Sequence, residues 1–113
     1  MPVFSTVVRG GDLLFLSGAI GVRPGTLQLV EGGIGPETRQ TLENLRSALQ
    51  AAGADLESVV KCTVFLADIA DYAAMNAVYR EFFPQDPPAR ATTAGSGLAL
   101  GARVEIDCVA VAP

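Results

Sequence analysis

The chain contains no histidine and only one lysine, Lys61. The absence of histidine excludes Ser-His and Cys-His nucleophile systems, together with the common histidine-based metal sites. A general base in this chain must therefore be a carboxylate, a tyrosine or Lys61.

The chain has only two cysteines, and no apolar run reaches the roughly 18 residues needed to span a bilayer. Cys62 and Cys108 lie in apolar, strand-like runs without a CxxC pair or metal-ligand spacing, which predicts buried free thiols. The start, "MPVFSTVVRGG", lacks the basic, hydrophobic and cleavage regions of a signal peptide. We therefore expect a cytoplasmic protein that does not bind membranes.

Positive charge is also scarce, with eight Lys and Arg against twelve Asp and Glu and a net charge of −4. No basic block is present, which disfavours nucleic acid as a partner. A length of 113 residues suits one domain, covering residues 1–113. Half of the residues are hydrophobic and 18% are charged, more apolar than a small soluble monomer requires, which indicates a buried subunit interface.

The first half of the chain predicts a hairpin, a loop and a helix. "VFSTVVRGGDLLFLSGAI" contains two strand-like runs joined at Gly10 and Gly11, and "GVRPGTLQLVEGGIG" is typical of a loop with at most a minor strand. We place a helix from Pro36, as its first residue, to Gly53 as its C′ residue. Glu37 in its first turn favours the helix dipole.

The second half predicts a strand, a helix and two closing strands. "LESVVKCTVFLADI" has the pattern of a strand covered on both faces, and "ADYAAMNAVYREFF" has a helical stripe typical of core. "PQDPP" ends that helix before the strands "RATTAGS" and "ARVEIDCVAV". The predicted stripe consists of Tyr72, Met75, Tyr79 and either Phe82 or Phe83.

The resulting element order, β-β-(β)-α-β-α-β-β, predicts an α+β fold. Right-handed crossovers would place both helices on one face of a mixed β-sheet. The other face is then left for partner subunits to cover.

Arg90 and Glu105 are opposite charges in a closing segment that is otherwise built for a hydrophobic core, and core packing does not explain them. Strand alternation directs Glu105, with Arg103 and Asp107, away from the helices. Glu105 is then either a solvated carboxylate, an ion-pair partner of Arg103 or Arg90, or a functional group. Arg90, which follows the prolines, is either a surface residue or a functional group. Because the pair is 15 positions apart, the two lie on neighbouring strands or across an interface. A guanidinium and a carboxylate at a subunit cleft can bind a small carboxylate and activate a water.

Several segments together resemble the RidA (YjgF) family of reactive-intermediate deaminases. The most specific are the "SG" after the second strand, "NAVYREFF" in the second helix, "PPAR" and the closing "VEIDCVAV". The resemblance covers nearly the whole chain. It implies a chorismate mutase-like homotrimer with a central barrel-like core, outer helices and sites between subunits.

The resemblance also implies hydrolysis of 2-imino acids to 2-keto acids and ammonia, without a cofactor or metal. Arg90 matches the family's essential arginine, whose planar fork suits a carboxylate. Glu105 matches its water-activating glutamate. Two other functions remain open: a trimeric protein that binds small carboxylates without turnover, and the endoribonuclease or translation-inhibitor role of some relatives.

Other positions match the substrate-binding residues of that family. They are Ser17 and Gly18 of the "SG", Asn76, and Thr92, where many members have cysteine. Phe4 replaces a tyrosine that stacks over the substrate in many members, and Ala19 replaces a frequent glutamine. These two departures bear on substrate range more than on reaction class.

Overall fold

The computed structural model describes residues 3–113 as a five-stranded mixed sheet with two helices. Its elements are β1 Val7–Gly10, β2 Leu13–Ala19, α1 Ile34–Ala51, β3 Val59–Leu66, α2 Tyr72–Phe82, β4 Ala89–Ala94 and β5 Val104–Val111. Single 3₁₀ turns occupy Leu56–Ser58, Ile69–Asp71 and Ala99–Gly101.

The sheet order is β1-β2-β5-β3-β4, with β3 and β4 parallel and every other neighbouring pair antiparallel. Strand β5 returns last and fills the place between β2 and β3. Both helices pack on the same side, where alternate residues of β2, β3 and β5 form one buried cluster with them. The predicted α+β class and element order are confirmed.

The opening hairpin forms as predicted, with its turn one residue later. Gly10 pairs with Leu13, so the two turn residues are Gly11 and Asp12. Gly11 has a φ of 59°, which a glycine adopts without steric cost.

Helix α1 begins two residues before the predicted start, at Ile34. Pro36 lies within the first turn, where a backbone N–H has no intrahelical acceptor, so the proline costs no hydrogen bond. The loop before it contains a single isolated bridge, between Val22 and Leu29, in agreement with a minor strand at most.

The end of α1 is a Schellman motif. Gly53 has a φ of 83° and donates its N–H to the carbonyl of Gln50 at 3.0 Å. The Ala54 N–H bonds to the Leu49 carbonyl at 2.9 Å. Gly53 is therefore the C′ residue, as predicted.

One member of the predicted core stripe of α2 is not in the core. Met75, Tyr79, Phe82 and Phe83 are buried, but Tyr72 is 40% exposed. Tyr72 is the first residue of the helix, and its side chain contacts a residue of β4 that is described below.

The second face of the sheet carries apolar side chains that no helix among residues 3–113 covers. Val8, Phe15 and Val109 form one row across β1, β2 and β5, and Phe15 is 47% exposed. We call this surface the open face. The predicted barrel-like trimer, which would bury it, stays a prediction.

Glu37 connects the start of α1 to the start of β5. Its side chain is fully buried, and its carboxylate accepts from the backbone N–H of Arg103 at 2.9 Å and from its Nη1 at 2.6 Å. Two charge-assisted bonds thus hold Arg103 immediately before β5, two residues from Glu105.

Among the residues described, no helix is long and apolar enough to cross a membrane.

Candidate functional site

Glu105 lies on the open face, as strand alternation predicted. It stands opposite Phe65 of β3, and its neighbours Val104 and Ile106 are buried against the helices. Glu105 lines a cavity of about 520 Å³. The cavity also contacts Phe4, Ser17 and Gly18, and we call these four residues the carboxylate cluster.

Gly18 permits the position of the Glu105 side chain. A Cβ added at Gly18 would overlap the Glu105 Oε2 atom and crowd its carboxyl carbon. The pairing of β2 with β5 is irregular between Leu16 and Ala19, where Gly18 lies. The irregularity and the missing side chain together make room for the carboxylate.

Ser17 ties the N-terminal segment to β2. Its hydroxyl donates to the Ser5 carbonyl at 2.6 Å, and its N–H donates to the Thr6 carbonyl at 3.0 Å. The Ser17 oxygen therefore has only its lone pairs left for a ligand. These bonds hold the segment that carries Phe4, whose ring is 65% exposed at the cavity.

Arg90 lies on the opposite side of the sheet, under α2. Its partner in β3 is Cys62, whose side chain is buried beneath the helices. The guanidinium donates to the Tyr72 hydroxyl at 3.0 Å, with Nη1 at 4.0 Å from the Met75 sulfur. Its central carbon stands 4.7 Å from the Tyr79 ring centroid, a cation–π distance.

Asn76 and Thr92 lie near Arg90. Asn76 is one helical turn after Tyr72, and hydrogen bonding from Asn76 and Arg90 lowers the pKa of the Tyr72 phenol. Thr92 follows Arg90 by two residues on the same strand face, and its Oγ1 is buried without a hydrogen-bond partner among residues 3–113. We call Tyr72, Asn76, Arg90 and Thr92 the arginine cluster.

The two clusters cannot contact one small ligand within a single chain. Arg90 is paired with Cys62 and Glu105 with Phe65, three residues apart in β3, so their side chains project from opposite faces. Strand β3 also separates them, so their strands are about 10 Å apart, twice the spacing of neighbouring strands. The expectation of neighbouring strands is therefore wrong, and the alternative, that the two residues meet across an interface, stays a prediction.

The ion-pair alternatives for Glu105 do not hold within the described range. Arg103 pairs with Glu37, and neither Arg103 nor Arg90 forms a salt bridge with Glu105. In the same range, no group of three Cys, Asp or Glu side chains is arranged to hold a metal ion.

Sequence reasoning missed Tyr72 and Glu37. Tyr72 fitted the apolar stripe of α2, although its position four residues before Asn76 places the two polar groups on one side of the helix. Glu37 was explained from the sequence by its favourable interaction with the helix dipole in the first turn of α1. Its pairing with Arg103, 66 residues away, has no local signal.

Residues 2–112 match the model of a protein family that is described as "Endoribonuclease L-PSP". The chain belongs to this family. A human protein named 2-iminobutanoate/2-iminopropanoate deaminase is 42% identical over 108 residues, which are 96% of this chain and 79% of that protein. The chloroplastic Reactive Intermediate Deaminase A of Arabidopsis thaliana is 41% identical over 107 residues, 95% of this chain and 57% of that protein.

Solved structures of the family share the fold. The crystal structure of YEO7 from yeast has a TM-score of 0.95 and 37% identity, covering 99% of this chain and 89% of that one. E. coli TdcF, crystallised with bound serine, has a TM-score of 0.92 and 30% identity, covering 100% of this chain and 91% of that one. A small amino acid thus binds a protein with this fold.

Proposed function

We propose that this chain hydrolyses 2-imino acids, and the enamines in equilibrium with them, to 2-keto acids and ammonia. The sites would lie between the subunits of a homotrimer. The observation that carries the proposal is the placement of Arg90 and Glu105 on opposite faces, which leaves each as half of a site. A second copy can supply the missing half.

Arg90 would bind the substrate carboxylate. Its guanidinium is already oriented by Tyr72 and Tyr79, and most of its five N–H groups remain free for an anion. A carboxylate takes two parallel charge-assisted bonds from such a planar fork, which a lysine cannot reproduce.

Glu105 would act as the general base. It accepts a proton from water while the water oxygen bonds to the imine carbon and the C=N π electrons move to nitrogen. Glu105 then returns that proton to the nitrogen, which gives a carbinolamine and restores the carboxylate. The hydroxyl proton is then transferred to nitrogen, the C–N bond breaks, and ammonia leaves the 2-keto acid. Ser17, Asn76 and Thr92 would contact the substrate, while Phe4 would cover it with its ring.

The test is a coupled assay in which a dehydratase releases a 2-imino acid and keto acid formation is followed with and without this protein. We expect acceleration by the wild type. Glu105→Gln should retain keto acid binding while turnover falls roughly 10²–10⁴-fold. Arg90→Lys should lose both almost as fully as Arg90→Ala.

Binding without turnover is the second candidate, since Arg90 alone suffices to hold a carboxylate. In that case the keto acid binds but its rate of formation is unchanged by added protein. The family description names an endoribonuclease, and the net charge of −4 and the absence of histidine disfavour RNA cleavage here. Incubation with single-stranded RNA under the same conditions tests that activity directly.

A further inference from the structure

Tyr72 presents a polar group beside Arg90 that the proposed mechanism has not yet used. The residue is 40% exposed at the start of α2, and its hydroxyl is 3.0 Å from Nη2 of Arg90. No residue matched to the deaminase family required a phenol at this place.

The hydrogen bonding of Tyr72 leaves its own proton free. Arginine has only donors, so the phenol oxygen accepts from Arg90. The neighbouring Asn76 amide and the Arg90 guanidinium lower the pKa of Tyr72, which makes its O–H a better donor. Within the described residues, no acceptor takes that proton.

A ligand carboxylate on Arg90 would therefore lie next to an unused O–H donor. The two donors differ in kind, because the guanidinium supplies charge and the phenol supplies a directed neutral bond. Phe4, in the carboxylate cluster, has a ring but no hydroxyl to offer.

We propose that Tyr72 is a specificity-determining residue, whose hydroxyl donates to the substrate carboxylate held by Arg90 and keeps the guanidinium oriented. This inference rests on the proposed function, since it requires a carboxylate ligand at Arg90. The site should then discriminate a 2-keto acid from its uncharged amide by more than the charge of Arg90 alone provides.

The test variant is Tyr72→Phe, which removes one oxygen and keeps the ring beside Arg90. Pyruvate and pyruvamide binding are measured by calorimetry, together with kcat and KM on a 2-imino acid. We expect the Kd for pyruvate to rise about tenfold and the Kd for pyruvamide to change little. The change in KM should be larger than the change in kcat. A merely structural role would weaken both ligands alike.

Ser47→Ala is the control, because it removes an exposed hydroxyl from α1, outside both the carboxylate cluster and the arginine cluster. It should leave the pyruvate-to-pyruvamide ratio unchanged. Equal ratios in wild type and Tyr72→Phe, with both proteins binding pyruvate, would overturn the role of Tyr72 and leave the proposed function standing. A wild type that neither binds pyruvate nor hydrolyses the imine would overturn both.

Discussion

Arg90 projects from the helix-covered face of the sheet and Glu105 from the open face, with strand β3 between their strands. A ligand of a few carbon atoms cannot contact both residues of one chain. If both act on one substrate, each site takes Arg90 from one subunit and Glu105 from its neighbour.

This arrangement predicts complementation between two inactive variants. In trimers assembled at random from equal amounts of Arg90→Ala and Glu105→Gln, each interface has a one-half chance of an intact arginine and a one-half chance of an intact glutamate. About one quarter of the sites should therefore be complete. Deaminase activity of the unfractionated co-refolded mixture measures this fraction. In isolated mixed trimers it should rise to about one third, because each of them has one complete interface out of three.

Each variant refolded alone is the control and should stay inactive. Wild type refolded with an equal amount of the inactive double variant, Arg90→Ala with Glu105→Gln, shows how much activity a known fraction of complete sites produces. Mixed trimers that are isolated intact and remain as inactive as their parents would exclude a site shared in this way.

The open face predicts the subunit contact. Phe15 is 47% exposed in the middle of the apolar row on β2, and a standard interface buries about 800 Å² per partner. Phe15→Asp should place an unpaired charge in that interface and shift the mass measured by light scattering from trimer to monomer. Ser47→Glu, at an exposed position of α1, should leave the measured mass unchanged. A trimer that survives Phe15→Asp would place the interface elsewhere.

The features predicted correctly from sequence are those with a local physical cause. Alternation in "VEIDCVAV" separated Glu105 from the core because a strand's side chains alternate whatever lies around it. Gly53 was placed at the end of α1 because a left-handed residue after a helix favours glycine.

The features that the sequence did not reveal depend on tertiary contacts. Tyr72 has the apolar ring of a core residue, and only the position of β4 shows that its hydroxyl meets Arg90. The insertion of β5 between β2 and β3, which separates Arg90 from Glu105 by an extra strand, likewise follows from long-range pairing. The proposed pairing of half-sites between subunits would be a property of the assembly, for which a single chain carries no local signal.

The paired thiols predict a loss of stability at alkaline pH. Cys62 and Cys108 face each other across β3 and β5 with their sulfurs 3.2 Å apart, both buried and free, as the sequence predicted. The hydrogen bond to Cys62, together with burial, raises the pKa of the Cys108 thiol. An unfolded cysteine titrates near pH 8.5, so above about that pH the unfolded chain releases a proton that the folded chain keeps.

The free energy of unfolding should therefore be unaffected by this thiol below pH 8.5. Above it, the free energy should fall by about 1.4 kcal/mol per pH unit. Urea titrations between pH 7 and 9.5, at one subunit concentration, measure the slope. Cys108→Ala should be less stable at every pH because of the cavity it creates. Its free energy of unfolding should nevertheless fall less steeply with pH above 8.5, by the contribution of one proton, about 1.4 kcal/mol per pH unit. Identical slopes would contradict the assignment to Cys108.

We expect the substitution Gly18→Ala to reduce catalysis while the protein stays folded. The new Cβ would overlap the Glu105 carboxylate, which can move because it is the end of a flexible side chain. The free energy of unfolding should thus change by no more than about 1–2 kcal/mol, while a displaced base costs turnover, because a general base must stay within hydrogen-bond reach of its water. We expect kcat to fall by roughly 10²-fold with the pyruvate Kd little changed, since Arg90 belongs to the other cluster.

Gly95→Ala is the control, because a Cβ there meets no atom within 4 Å and its φ is not in the left-handed region. Full activity in a folded Gly18→Ala trimer would mean that the observed position of Glu105 is not the one that supports turnover.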